Sequence, residues 1–265
     1  MAPNGFDAYS PREIAGRLEA VCVAKAATPL LSLVMLGMLA GAFIGLGALF
    51  SVIVLSDPSL GFAASRLLAG LVFSLGLVLV VVAGAELFTG NNLLAMAWAH
   101  GVLSTRDVLH NWVIVCTANF AGAAGLAAVV YLSDHAGMNG GAVGRTYLEI
   151  AAAKSTLPFW TAFFRGVLCN VLVCMAVWMT LAGRSVTDKA VAVVLPVSLF
   201  VAAGFEHSIA NMYLLPLATM LQASAGAPLQ FSWLWTNLVP VIAGNLVGGS
   251  VLVALVYYVI YRRPA

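Results

Sequence analysis

Apolar residues dominate the chain in six long runs, at 30–55, 67–99, 112–132, 158–182, 190–221 and 233–261. A helix needs roughly 20 apolar residues to cross the hydrocarbon core of a bilayer. The first, third, fourth and sixth runs each fit one spanning helix. The second and fifth are about 32 residues long and carry ionisable groups near their middles. One straight helix of that length overshoots the bilayer. The pattern therefore predicts helices that break inside the membrane and resume, with the irregular piece buried in protein or lining a cavity.

The two long runs repeat one another. The second reads Gly84-Ala85-Glu86-Leu87-Phe88-Thr89-Gly90-Asn91 and the fifth Gly204-Phe205-Glu206-His207-Ser208-Ile209-Ala210-Asn211, with Gly, Glu and Asn at the same offsets about 120 residues apart. Ala118-Asn119-Phe120-Ala121-Gly122 in the third run parallels Gly244-Asn245-Leu246-Val247-Gly248 in the sixth. Runs 1–3 thus resemble runs 4–6. An odd number of spans per half requires the halves to insert in opposite directions, and paired interrupted helices point to the substrate path. The expected fold is an all-α membrane protein of six transmembrane helices, an inverted repeat of three plus three. A segment at 1–29 precedes one channel domain at 30–261, with halves at about 30–132 and 158–261 and a tail at 262–265.

Composition agrees. The 265 residues are 62% hydrophobic and 8% charged, against roughly 25% charged in soluble domains. Such a chain cannot build a solvated surface, and a net charge of +2 leaves no basic stripe for nucleic acid. With the N-terminus in the cytoplasm, eight basic residues fall inside and four (Arg66, Arg145, Lys154, Arg165) outside, so both termini are expected inside. The longest outside connection is then 133–157, rich in Gly and Ala. The N-terminal stretch is amphipathic, with no apolar core before a cleavage site, and is not read as a signal peptide. Three of the four cysteines, Cys116, Cys169 and Cys174, lie in apolar runs. Together with Cys22 they show no paired metal-ligand spacing and read as packing residues.

Charges inside a membrane are costly, which directs attention to Glu86, Glu206 and His207. Each glutamate can cap the helix break beside it by accepting freed backbone N–H groups, or can serve the substrate path. His207 is the one histidine inside an apolar run. In a pore it could bind an anion when protonated or relay a proton to it. Asn170 could hydrogen-bond His207 or a passing anion, or tie helices together. Asn119 and Asn245 sit in Asn-x-x-Gly patterns that serve close packing as readily as substrate contact. Thr89 could offer its hydroxyl to the permeant species. Gly37, Gly41, Gly45 and Gly47 predict close helix contact, within or between subunits.

These residues carry a family resemblance. Phe73-Ser74-Leu75-Gly76-Leu77, Glu86-Leu87-Phe88-Thr89-Gly90, Lys154-Ser155-Thr156-Leu157-Pro158, Gly166-Val167-Leu168-Cys169-Asn170-Val171-Leu172-Val173 and Phe205-Glu206-His207-Ser208-Ile209-Ala210-Asn211-Met212 are similar to motifs of the formate/nitrite transporter family. The resemblance implies an aquaporin-like protomer in a homopentamer, one pore per protomer, in a bacterial-type inner membrane. It implies that His207 is the central pore histidine, with Thr89, Asn170 and Asn245 as its polar surroundings and Glu206 beside it. Phe73 and Phe200 would form the outer constriction, and Leu77, Leu87 and Val173 the inner one. Lys154 would draw anions into the outer vestibule. The implied cargo is formate with protons, or nitrite or hydrosulfide as in other branches. Electroneutral passage with a proton and plain anion conduction both remain open. The stretch from Gly183 to Pro196 is similar to formate channels, whereas the paired Asn91-Asn92 departs from their pattern.

Other classes fare poorly. A hydrolase needs a nucleophile facing a base, and Ser208 adjoins His207 only along the backbone. No Gly-x-Ser-x-Gly or His-Glu-x-x-His string occurs. Neither break carries the Asn-Pro-Ala expected of a neutral-solute channel. No enzymatic chemistry, metal or cofactor is expected.

Overall fold

The computed structural model describes residues 8–263, so residues 1–7 and 264–265 of the expected terminal segments lie outside the described residues. All regular secondary structure among the described residues is helical. Helix α1 (Pro11–Ala26) opens with a capping box: Ser10 accepts from the Glu13 amide while the Glu13 side chain accepts from the Ser10 amide. The Ser10 hydroxyl and then its amide, both donating to the exposed Glu13 carboxyl, hold that group below its ordinary range. The apolar side of α1, with Ile14, Leu18 and Cys22, packs on Leu93–Ala97 and Trp178.

Five helical segments are long and apolar enough to span a membrane: Leu30–Leu55 (α2), Phe62–Gly84, Thr105–Leu132 (α6), Phe159–Thr180 (α8) and Leu234–Tyr261. The second comprises α3 (Phe62–Leu79) and a wider π-turn, Val80–Gly84. After a break at 85–87 it resumes as the short helices α4 (Phe88–Asn91) and α5 (Leu94–Ala99). The fifth apolar run is divided into α9 (Val186–Ala202) and α10 (Ser208–Ser224), 17 residues each. The last segment contains α11 (Val239–Leu246) and α12 (Val256–Tyr261) with π-turns before and between them. Both expected interruptions are therefore present. Side chains such as Leu31, Leu132 and Leu195 point outward at 74%, 80% and 73% exposure, the wall of a multi-pass membrane protein.

Helix starts differ from the apolar boundaries. Helix α6 begins at Thr105 rather than 112, and α9 at Val186 rather than 190, because Ser104 with Asp107 and Ser185 with Asp188 form capping boxes upstream of the apolar residues. The 133–157 stretch that joins α6 to α8 is itself partly helical. It holds α7 (Ala142–Ser155), whose buried Val143, Tyr147 and Ala151 recur every four residues. Tyr147 hydrogen-bonds Tyr213 of α10 at 2.8 Å, anchoring α7 to the bundle.

Packing is repeated between the halves: α2 lies on α3 and α6, and α8 on α9 and α11. A methyl group on Gly122 would overlap the Met38 carbonyl, and one on Gly248 the Val167 carbonyl. The Asn-x-x-Gly patterns thus mark backbone-to-backbone contact, which only glycine permits. Gly37 and Gly41 meet α6, Gly45 meets Leu126 and Tyr213, and Gly47 meets the Phe73 carbonyl, so all four serve contacts within the protomer.

Candidate functional site

Each break begins on a glycine in the left-handed region, Gly84 at φ +85° and Gly204 at φ +73°. The next amides close the turn backwards, Ala85 to the Val80 carbonyl and Phe205 to the Phe200 carbonyl, both at 3.0 Å. The Glu86 amide crosses to the Leu36 carbonyl, and the Glu206 amide to that of Arg165. The amide that opens the resumed helix is taken by an asparagine: Phe88 N–H donates to Asn119 Oδ1 at 2.9 Å and Ser208 N–H to Asn245 Oδ1 at 3.0 Å. Each asparagine then donates twice, Asn119 to the carbonyls of Gly37 and Glu86, and Asn245 to those of Gly166 and Glu206.

The expectation that Glu86 and Glu206 cap the freed amides is therefore corrected. Asparagines from α6 and α11 do the capping, and the carboxylates bind side chains. Glu86 receives Lys25 and Asn91, each at 2.7 Å. Glu206 receives Lys154 on both oxygens, at 2.9 and 3.0 Å, and Asn211 at 2.7 Å. A further pair completes the match, Asn91 donating to Asn111 and Asn211 to Asn237. Lys25, Asn91, Asn111, Asn211 and Asn237 were not singled out from the sequence as members of these networks. A signal existed: Asn111 and Asn237 are spaced as Asn119 and Asn245 are, and Lys25 and Lys154 each stand four residues before a proline, Pro29 and Pro158.

The breaks differ where Leu87 faces His207 and Thr89 faces Ile209 at equal offsets. His207 is 3% exposed and its Nε2 lies 3.1 Å from Thr89 Oγ1, so each break contributes one partner. The Ala210 amide donates to His207 Nδ1 at 3.2 Å. A nitrogen that accepts carries no proton, so in neutral imidazole the proton sits on Nε2 and points to Thr89. The Phe200 ring stacks on the imidazole at 5.7 Å, and Phe73 meets Phe200 edge-on at 5.5 Å.

These rings divide two spaces. On one side lies a vestibule of about 250 Å³, whose wall includes Arg66, Lys154, Arg165, Glu206 and His207. On the other, Phe73, Leu77, Leu87, Val173, Phe200 and His207 enclose a chamber with no room for a water molecule. Lys154 lines the vestibule while paired to Glu206. Asn170 and Asn245 stand behind both walls. Asn170 Nδ2 donates to Thr89 O, Asn92 Oδ1 and Asn245 O rather than to His207, and so fixes the turn carrying Thr89. Asn91 and Asn92 are likewise part of this scaffold and line neither space.

Comparisons with known proteins match this arrangement. Residues 12–259 fit the family model described as "Formate/nitrite transporter". The chain is 38% identical to "Formate channel FocA" of Escherichia coli (strain K12), over 99% of this chain and 98% of that protein. It is 37% identical to "Uncharacterized transporter YrhG" of Bacillus subtilis (strain 168), over 96% and 94%. Among solved structures, a "Pentameric formate channel with formate bound" superposes with a TM-score of 0.80 at 37% identity, covering 88% of this chain and 98% of that one. An "FNT family ion channel" gives 0.82 at 30% identity, over 95% and 99%. With the whole membrane domain matched and the paired broken helices in place, the chain belongs to the formate/nitrite transporter family.

Proposed function

We propose that this chain is a homopentameric channel-transporter that passes formate with a proton through a pore in each protomer. The carrying observation is the His207–Thr89 pair, drawn from the two breaks, with His207 in the wall both of a vestibule that holds Arg66, Lys154, Arg165 and Glu206 and of a dry apolar chamber. Names of relatives supply the substrate: the E. coli protein is a formate channel and the solved neighbour a pentamer with formate bound. In this reading α2, α3–α5, α6, α8, α9–α10 and 234–261 are six spans in two inverted halves. Both termini lie in the cytoplasm, and the vestibule opens outward from the inner membrane. The roles of Phe73 and Phe200 as outer constriction, and of Leu77, Leu87 and Val173 as inner constriction, belong to the same proposal.

The chamber sets the mechanism. A bare carboxylate loses its hydration there without compensation, at a cost of several kcal/mol, whereas neutral formic acid does not. Passage therefore follows protonation at the chamber's mouth. Thr89 and His207 Nε2–H bind the formate oxygens. The proton moves through the ring: formate takes the Nε2 proton while Nδ1, released by the Ala210 amide, takes one from a hydronium ion in the vestibule, and the ring returns to its Nε2–H form by exchange with water once the acid has left. The imidazole is neutral before and after, and formic acid enters the chamber.

Labelled formate uptake into proteoliposomes under an imposed pH gradient tests this. Uptake driven by an inward proton gradient and lost in His207→Asn is expected. Intact gradient-driven uptake in that variant overturns the relay. Inert formate alongside moving nitrite or hydrosulfide reassigns the cargo within the family.

A further inference from the structure

The lysine at the vestibule is paired, its Nζ donating to both oxygens of Glu206. The vestibule nevertheless carries surplus positive charge, because Arg66 and Arg165 also line it and Glu206 is the one carboxylate in its wall. The two arginines are held differently. Arg66 donates Nε and Nη2 to the carbonyls of Ala202 and Val201, at 2.9 Å each, at the C-terminal end of α9. That end of a helix dipole favours a cation, and Nη1 is left over for a ligand. Arg165 is exposed, and its guanidinium has no hydrogen-bond or ion-pair partner among the described residues. Its backbone is fixed, because its carbonyl accepts the Glu206 amide and that of the following Gly166 accepts Asn245. A charged planar fork on an anchored backbone, in a cavity wall that also holds a second guanidinium, matches the flat two-oxygen geometry of a small carboxylate.

We propose that Arg165, assisted by Arg66, forms a capture site for small planar monovalent anions in the vestibule, upstream of Phe73 and Phe200, and that Lys154 serves there chiefly as the counter-ion of Glu206. The site rests on the transport reading above but makes a separate demand: capture depends on arginine charge and is screened by salt. Arg165 concentrates the anion, and the His207–Thr89 pair then acts on what the vestibule holds.

The test is initial formate uptake by proteoliposomes at low and high ionic strength, with assembly of each variant checked by size-exclusion chromatography. In the wild type, uptake at low formate should fall as salt rises. Arg165→Gln should raise KM roughly tenfold, by more than any fall in the saturating rate, and flatten the salt dependence. Arg165→Lys should restore the salt dependence while recovering only part of the KM, since ammonium lacks the fork. Arg66→Gln should have a smaller effect. Assembled Arg165→Gln with wild-type KM and salt dependence overturns the proposal. A wild type that moves no formate removes the transport reading but leaves the site decidable by bromide soaked into crystals. An anomalous peak beside Arg165, lost in Arg165→Gln, supports the site; a vestibule without bromide refutes it.

Discussion

The two helix breaks are built on one plan and do different work. Each has a left-handed glycine, a carboxylate held by a lysine and an asparagine, a second asparagine behind the first, and a third that caps the resumed helix and ties it to a neighbour. Five of the eight offsets differ, and two of them bear on the pair that joins the breaks: Leu87 against His207 and Thr89 against Ile209. The scaffold solves a problem common to both, since broken backbone at membrane depth must find partners within the protein. The positions proposed to carry the chemistry are among those the scaffold leaves open. The two breaks thus share a frame, and their differences bring a hydroxyl from one side and an imidazole from the other.

The comparison can be broken at several strengths. Glu206→Leu strands the lysine most deeply placed, since the Lys154 side chain is 16% exposed against 26% for Lys25. It should cost about 3 kcal/mol, as breaking a buried pair does. Glu86→Leu should cost less, and thermal melting of the detergent-solubilised assembly should rank them in that order. Asn119→Leu and Asn245→Leu each remove three hydrogen bonds, and at roughly 0.6 kcal/mol per bond in a membrane protein each should lose about 2 kcal/mol. Unequal melting shifts for that pair would show that the halves are not equivalent scaffolds.

The asymmetric positions call for smaller changes with functional readouts. Thr89→Val removes one bond to His207 and should slow formate uptake about threefold, the equivalent of roughly 0.6 kcal/mol. Uptake unchanged in that variant would leave His207 working without its partner from the first break. The smallest effect concerns the capping box of α1. The Glu13 carboxyl titrates below its ordinary range because Ser10 donates to it. Its stabilisation is therefore complete above the unfolded-state pKa and is lost as pH falls through the lower folded value. Amide exchange in the first turn of α1 should accelerate at acid pH in the wild type and lose that pH dependence in Glu13→Gln.

Much of this plan was legible in the sequence, because a membrane makes ionisable and amide side chains rare enough to stand out. Glu86, Glu206 and His207 could be placed in broken helices, and the repeat followed from a handful of matching offsets. Partnership was harder to read. Lys25 comes from an amphipathic helix and Lys154 from one that apolarity did not reveal, because α7 mixes Ala and Gly with charged residues and buries one narrow stripe. Helix starts did not follow from the apolar runs, because serine and acidic caps set them upstream of the lipid-facing residues. Asn170 was weighed as a partner for His207, yet the two meet different atoms of one residue: the Thr89 hydroxyl pairs with the histidine and the Thr89 carbonyl with Asn170. That distinction exists only in three dimensions.

The dry chamber beneath Phe73 and Phe200 has a bioenergetic consequence. Protons cross membranes fastest along unbroken files of water, and this conformation interrupts such a file between His207 and Leu87. A cell can therefore hold many copies of the protein at rest without short-circuiting its proton-motive force. Under the mechanism proposed above, each proton that crosses arrives as cargo, attached to an acid small enough to part the rings.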